Sequence, residues 1–214
     1  MTTIDYDKIS DKITEKNKIG DGKEVKVYED GKYVIKIFKE NRLSDLKRIS
    51  DEGLIKLSTL DLKHFNTPTG IILKNGKIVG YKEKLLKIKD LERELSEEEL
   101  DEIKNDIILL SRSGFMINDI MYNYTDNSKL FFFDLTSYTY TNSNKKELLD
   151  YYYKKNILTI NIFLVGLTMF GAYKHGEKYE FTKTYLAYEF ITNNLNDQYF
   201  GDYLKNNSKS LILI

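Results

Sequence analysis

Lys36 stands in Tyr33-Val34-Ile35-Lys36-Ile37-Phe38, a run in which Val34 and Phe38 share its parity and Ile35 and Ile37 share the other. On a strand both faces of this run are therefore apolar. An ammonium placed there snorkels to water, meets a carboxylate or binds an anionic ligand, because burying an unpaired cation costs several kcal/mol. Upstream, Gly20-Asp21-Gly22 lies between two strand-like stretches. A turn without Cβ atoms lets successive backbone N–H groups approach a phosphate, and the same sequence also suits a plain hairpin with a flexible tip. Downstream, Asp134 closes the run Leu130-Phe131-Phe132-Phe133, where a carboxylate either ligates a cation or caps the next turn. A buried lysine, a glycine turn and a strand-end aspartate together supply groups for a phosphate and its metal ion.

The elements that must position these groups follow from periodicity. Val25 and Val27 alternate with polar residues, Asp30-Gly31 provides a tight turn, and Tyr33–Phe38 is the return strand. Leu43, Leu46, Ile49, Leu54 and Leu57 recur at helical spacing, which predicts a helix from about Ser44 to Thr59 that carries Glu52. A second hairpin joins 69–73 to 77–86 through Asn75-Gly76, a dipeptide suited to the positive φ angles of a type I′ turn. The first 86 or so residues thus read β-β-β-α-β-β. Ser96 with Glu99 forms a capping box, Leu100, Ile103, Ile107 and Leu110 mark one helical face, and Ser113-Gly114 ends that helix. Short strands and loops fill 115–140, and the remainder reads as two or three packed helices.

Composition bounds the class. With 214 residues and 41% hydrophobic content the chain can bury a real core, but it is short for two full-sized domains. Lys+Arg 33 balances Asp+Glu 33, so no net positive field draws the protein to nucleic acid or an anionic membrane. There is no cysteine, which removes disulfides, thiolate metal sites and cysteine nucleophiles. The start, Met1-Thr2-Thr3-Ile4-Asp5-Tyr6, lacks the basic-then-apolar order of a secretory signal, so a cytoplasmic protein is expected. The most apolar run, 157–173, is interrupted by Thr159, Asn161 and Thr168 and reads as a buried core helix, not a membrane span. His64 and His175 have no spaced partners that would make a zinc site. Walker-type, nucleophile-elbow and His-Glu-x-x-His patterns are missing.

Taken in order, Gly20-Asp21-Gly22, Lys36, Glu52, Asp119, Asn123 and Asp134 resemble the set with which the protein-kinase-like superfamily holds ATP and Mg²⁺. The resemblance covers roughly Lys18 to Thr136 and rests on collinearity. It implies an α+β fold with a small antiparallel β-sheet lobe and one helix over 1–86, and a reduced, mainly helical lobe over 87–214. It implies that Lys36, paired with Glu52, holds the phosphates beneath Gly20, Gly22 and Val27, and that Tyr81-Lys82-Glu83-Lys84 is the hinge whose backbone contacts adenine. It also implies that Asp119 accepts the proton of the attacking hydroxyl, and that Asn123 and Asp134 bind metal.

Departures from the pattern are specific. Val25 replaces the third glycine, Ile117 and Asn118 stand where the family has His and Arg, and Asn123 follows Asp119 by four residues in place of five. Leu135 and Thr136 replace the Phe and Gly after the metal-binding aspartate. The short hairpin between Val27 and Lys36 resembles bacterial small-molecule and atypical kinases, which leaves the hydroxyl substrate, protein or small molecule, open. An ATP- and Mg²⁺-dependent phosphotransferase is the first expectation. The second is a pseudokinase acting as a nucleotide-binding or interaction module, and the third is an unrelated α+β domain.

Overall fold

The computed structural model describes residues 2–39, 49–86, 95–118, 121–124 and 129–169; for 121–124, 158 and 161–169 it describes the backbone path alone. The fold is α+β. A mixed six-stranded sheet has the order β1-β5-β6-β4-β3-β2, built from β1 (Thr2–Asp5), β2 (Lys18–Asp21), β3 (Val25–Asp30), β4 (Tyr33–Phe38), β5 (Gly70–Lys74) and β6 (Lys77–Lys84). All neighbours are antiparallel except β1, which runs parallel to β5. The helices are α1 (Asp51–Leu57), α2 (Glu97–Arg112) and α3 (Lys146–Met169). Between α2 and α3 lie β7 (Phe115–Met116), β8 (Met121–Tyr124), β9 (Leu130–Phe133) and β10 (Thr139–Tyr140), with β8 paired to β9 and β7 to β10.

Local chemistry accounts for most of these boundaries. Asn75 and Gly76 both take positive φ, 51° and 76°, as the two-residue turn between β5 and β6 requires. Gly31 (φ 66°) opens the turn between β3 and β4, whose last paired residues are Asp30 and Tyr33. The Ser96–Glu99 capping box is closed in both directions, and α2 ends at Arg112 before Gly114 (φ 86°). Helix α1 starts later than the periodicity predicts. Ser50 caps it by accepting the Gly53 N–H at 3.1 Å, and 44–48 of the expected helix lie outside the described residues.

Two apolar layers sandwich the sheet. On the inner face Val25, Phe38, Ile71 and Tyr81 join Leu54 and Leu57 of α1, Ile103, Ile107 and Leu110 of α2, Phe132 of β9, and Ile157 and Ile160 of α3 in one core. On the outer face Tyr28, Ile35 and Ile72 are covered by Ile4, Tyr6, Ile9 and Ile13. That cover comes from β1 and the 3₁₀ helix Tyr6–Lys12, so a segment that reads in sequence as a polar start is a paired strand and an apolar roof. Among the described residues no helix is long and apolar enough to cross a membrane.

The link that places β9 against the sheet is short. Phe132 donates its N–H to the His64 carbonyl at 2.7 Å and accepts the Asn66 N–H at 2.8 Å, so 64–66 runs alongside β9. Asn66 in turn donates from Nδ2 to the Lys84 carbonyl at the end of β6 (2.9 Å). The end of β9, where Asp134 sits, is thereby tied to the end of β6.

Candidate functional site

Lys36 occupies the middle of β4, opposite Val27 on β3 and Tyr81 on β6. It is 6% exposed, which removes the snorkelling alternative. Its register partner on β6 is Tyr81, and two residues along the same face lies Glu83, 3% exposed. The Lys36 Nζ reaches the Glu83 Oε1 at 2.9 Å and the Asp134 Oδ1 at 3.8 Å. It also lies 5.5 Å from the centroid of the Tyr81 ring, within cation–π range. Burial alone disfavours the ammonium, but Tyr81, Glu83 and Asp134 outweigh it and hold the Lys36 pKa above its ordinary value. Burial pushes the Glu83 carboxyl up against the opposing pull of Lys36. The Tyr81 hydroxyl is pushed up by burial as well, against the opposing pull of Lys36.

Asp134 carries the second notable geometry. Its backbone is left-handed (φ 62°, ψ 46°), a conformation that Asp tolerates better than most side chains and that concentrates at functional turns. It precedes a 3₁₀ helix, Leu135–Ser137, yet its side chain makes no capping hydrogen bond to it. The cap alternative therefore falls away. The carboxylate, whose side chain is 46% exposed, faces Lys36 on one side and the Thr136 hydroxyl at 3.4 Å on the other. The Thr136 carbonyl accepts the Ile49 N–H at 2.8 Å, which ties this turn to the approach of α1.

Glu52 is elsewhere. It is exposed on the first turn of α1 and accepts a hydrogen bond from Asn142 Nδ2 at 2.8 Å. The reason is packing: a Cβ at Gly53 would lie 2.7 Å from the Tyr140 Cβ, so α1 presses its first turn against β10 and the residues that follow it. The expected Lys36–Glu52 pair is thus replaced by Lys36–Glu83. The segment expected to form the hinge is paired within the sheet. Lys82 is opposite Ile35 on β4 and Gly70 on β5, and its carbonyl accepts the Thr69 N–H at 2.7 Å. With β6 a central strand, the backbone of Tyr81–Lys84 is engaged by neighbours, and Glu83 offers its side chain instead.

The glycine turn closes a hairpin whose register shifts between Lys18 and Gly20. Gly20 faces Val27, the Gly22 N–H is donated to the Val25 carbonyl at 2.9 Å, and neither glycine has positive φ. Asp21 between them is paired with Lys18 and Lys39, and the Lys18 contact, then Lys39, holds its carboxyl at about 2. Val27 packs against the inner core beneath Lys36. Asn123 lies on β8 opposite Phe131, with its side chain outside the described residues, and Asp119 lies outside them altogether. Among the described residues no three His, Cys, Asp or Glu side chains gather where they could hold a metal ion. Of the expected Mg²⁺ ligands, only the Asp134 carboxylate can be placed.

A second polar cluster escaped the sequence reading. His64 is fully buried, with Nδ1 2.9 Å from the Leu130 carbonyl and Nε2 3.0 Å from Glu102 on α2. Asp106, one turn on from Glu102, accepts the backbone N–H groups of Lys63 (3.1 Å) and His64 (2.7 Å). This cluster fastens the 63–66 segment, and with it β9, to α2. Isolated acids on an amphipathic helix give no sign of it in sequence, because their partners come from a distant loop.

No protein-family model matches the chain, and no curated protein matches it.

Proposed function

We propose that the chain is an ATP- and Mg²⁺-dependent phosphotransferase of the protein-kinase-like kind, transferring the γ-phosphate to a hydroxyl. The observation that carries the reading is the approach of Lys36 and Asp134 to 3.8 Å from distant parts of the chain. One is a buried, charged lysine on a central strand, and the other is a half-exposed carboxylate on a left-handed turn at a strand end. A cation for phosphate oxygens beside an acid for a divalent metal is the arrangement that phosphoryl transfer uses. The β-β-β-α-β-β order of β2 to β6 also supports it. In this reading Lys36 binds the phosphates, Asp134 and Asn123 hold Mg²⁺, and Asp119 orients the attacking hydroxyl.

The test is direct. Purified protein with γ-labelled ATP and Mg²⁺ should label itself, a generic protein substrate or a small alcohol, and Asp119→Ala should abolish the signal. MgATP at 100 times its dissociation constant should add about 2.7 kcal/mol of stability in a thermal-shift measurement. No shift and no transfer would end the proposal.

A second reading, a nucleotide-binding module without transfer, is favoured by one observation. The Gly22 N–H is already donated within the hairpin, so the glycine turn offers a phosphate fewer donors than the resemblance implies. A thermal shift with no detectable transfer selects it.

A further inference from the structure

We propose that Glu83, and not Glu52, is the positioning residue that holds Lys36 in the site. Its part in nucleotide binding rests on the reading above. The assignment of the lysine's partner does not.

Three observations converge. First, register places Glu83 on the face of the sheet that Lys36 occupies, on the adjacent strand, within the direct reach of a 2.9 Å contact. Second, both partners are buried, Lys36 at 6% and Glu83 at 3%, so neither charge has water as an alternative partner. Removing one member of such a pair strands the other, which makes the pair obligatory in a way that a surface contact is not. Third, Glu52 is committed to Asn142 and exposed. Among the described residues Asp134 is the other carboxylate facing Lys36, and it is farther away and half in water.

The consequence concerns what controls the lysine. A counter-ion carried by a helix moves with that helix. Glu83 sits in a central strand hydrogen-bonded on both sides, so Lys36 keeps its position whatever α1 does. Glu52 with Asn142, Gly53 with Tyr140 and Ile49 with Thr136 serve instead to dock α1 on the turn that follows Asp134.

The experiment uses the full chain and two readouts. In nucleotide-free protein, stability to urea is measured in two double-mutant cycles, Lys36→Met with Glu83→Gln and Lys36→Met with Glu52→Gln. The expected result is that Glu83→Gln alone is strongly destabilising and that adding Lys36→Met to it recovers most of the loss, while the effects of Lys36→Met and Glu52→Gln simply add. MgATP affinity is then measured by titration calorimetry. Glu83→Gln should weaken it about tenfold or more, and Glu52→Gln should stay within twofold. Additive losses for Lys36→Met and Glu83→Gln, or an equal coupling of Lys36→Met to Glu52→Gln, overturn the assignment. The cycles need no nucleotide, so a wild-type protein that binds no MgATP defeats the phosphotransferase reading while the coupling still decides which carboxylate holds the lysine. If Glu83→Gln does not fold, Lys36→Met/Glu83→Gln decides: recovery of folding means the stranded ammonium was the fault, and a double variant as unstable as the single one overturns the pairing.

Discussion

Gly80 backs directly onto Lys36: a Cβ built on Gly80 would run into the Lys36 carbonyl oxygen and lie 3.1 Å from the Ile37 Cα. The obstacle is backbone in the middle of a sheet and cannot rotate aside. Gly80→Ala should therefore cost roughly 1–3 kcal/mol, in the range of overpacked cores, and shift β4 together with Lys36. Urea denaturation measures the loss, and a midpoint equal to wild type would show that the strands part without cost.

Asp106 accepts two backbone N–H groups, from Lys63 and His64, in a site where it is 4% exposed. Asp106→Ala leaves both donors bare, at about 1–3 kcal/mol each. Asp106→Asn keeps one acceptor and should lose about half as much. Because His64 and Asn66 flank β9, hydrogen exchange of the Phe132 amide should accelerate in step, and an unchanged Phe132 rate would separate the cluster from β9.

Glu102 gives a pH signature. Its contact with Lys63, helped by His64 and Lys129, pulls its carboxyl from an ordinary 4.5 to about 2. The folded state thus releases the proton at a lower pH than the unfolded state. Stability from this group is fully present above about 4.5 and fades as pH falls toward about 2. Glu102→Gln should flatten the dependence of melting temperature on pH within that window and leave its shape at neutral pH alone. Parallel acid limbs for the two proteins would refute the linkage.

Asn156 on α3 is fully buried and joins three elements: its Oδ1 accepts the Ile117 N–H at 2.7 Å, and its Nδ2 donates to the Phe115 carbonyl and the Ser111 hydroxyl, each at 2.9 Å. Asn156→Leu leaves the Ile117 donor and the Phe115 acceptor without partners, at about 1–3 kcal/mol for each. Since Ile117 lies two residues before Asp119, phosphate transfer should fall by more than MgATP affinity does. Equal losses of both would place the effect in global stability alone.

Much of the sheet and the start of α2 are legible from local signals. Asn75-Gly76, the Ser96–Glu99 box and the two-sided apolar run around Lys36 act through neighbours in sequence, and the structure realises each of them. Contacts decided by packing are not legible in this way. Glu52 looks like a partner for Lys36 because a helix follows β4, but Gly53 lets that helix settle on Tyr140, and the choice shows only in three dimensions. Glu83 enters the sequence reading only as part of a hinge whose backbone would contact adenine, and its buried side chain shows as the partner of Lys36 only once its strand proves central and covered. The roof formed by Ile4, Tyr6, Ile9 and Ile13 is equally hidden, because a short amphipathic stretch does not announce which sheet it will cover.

The parallel pairing of Thr2–Asp5 with Gly70–Leu73 has a consequence for biosynthesis. The hairpins of β2, β3 and β4 can zip as they leave the ribosome, because each strand's neighbour is next in line. Strand β1 is made before these hairpins and finds its mate only after β5 has been made. Until then the nascent chain displays Tyr28 and Ile35 without their lid, and this is the interval in which a holdase chaperone has most to bind.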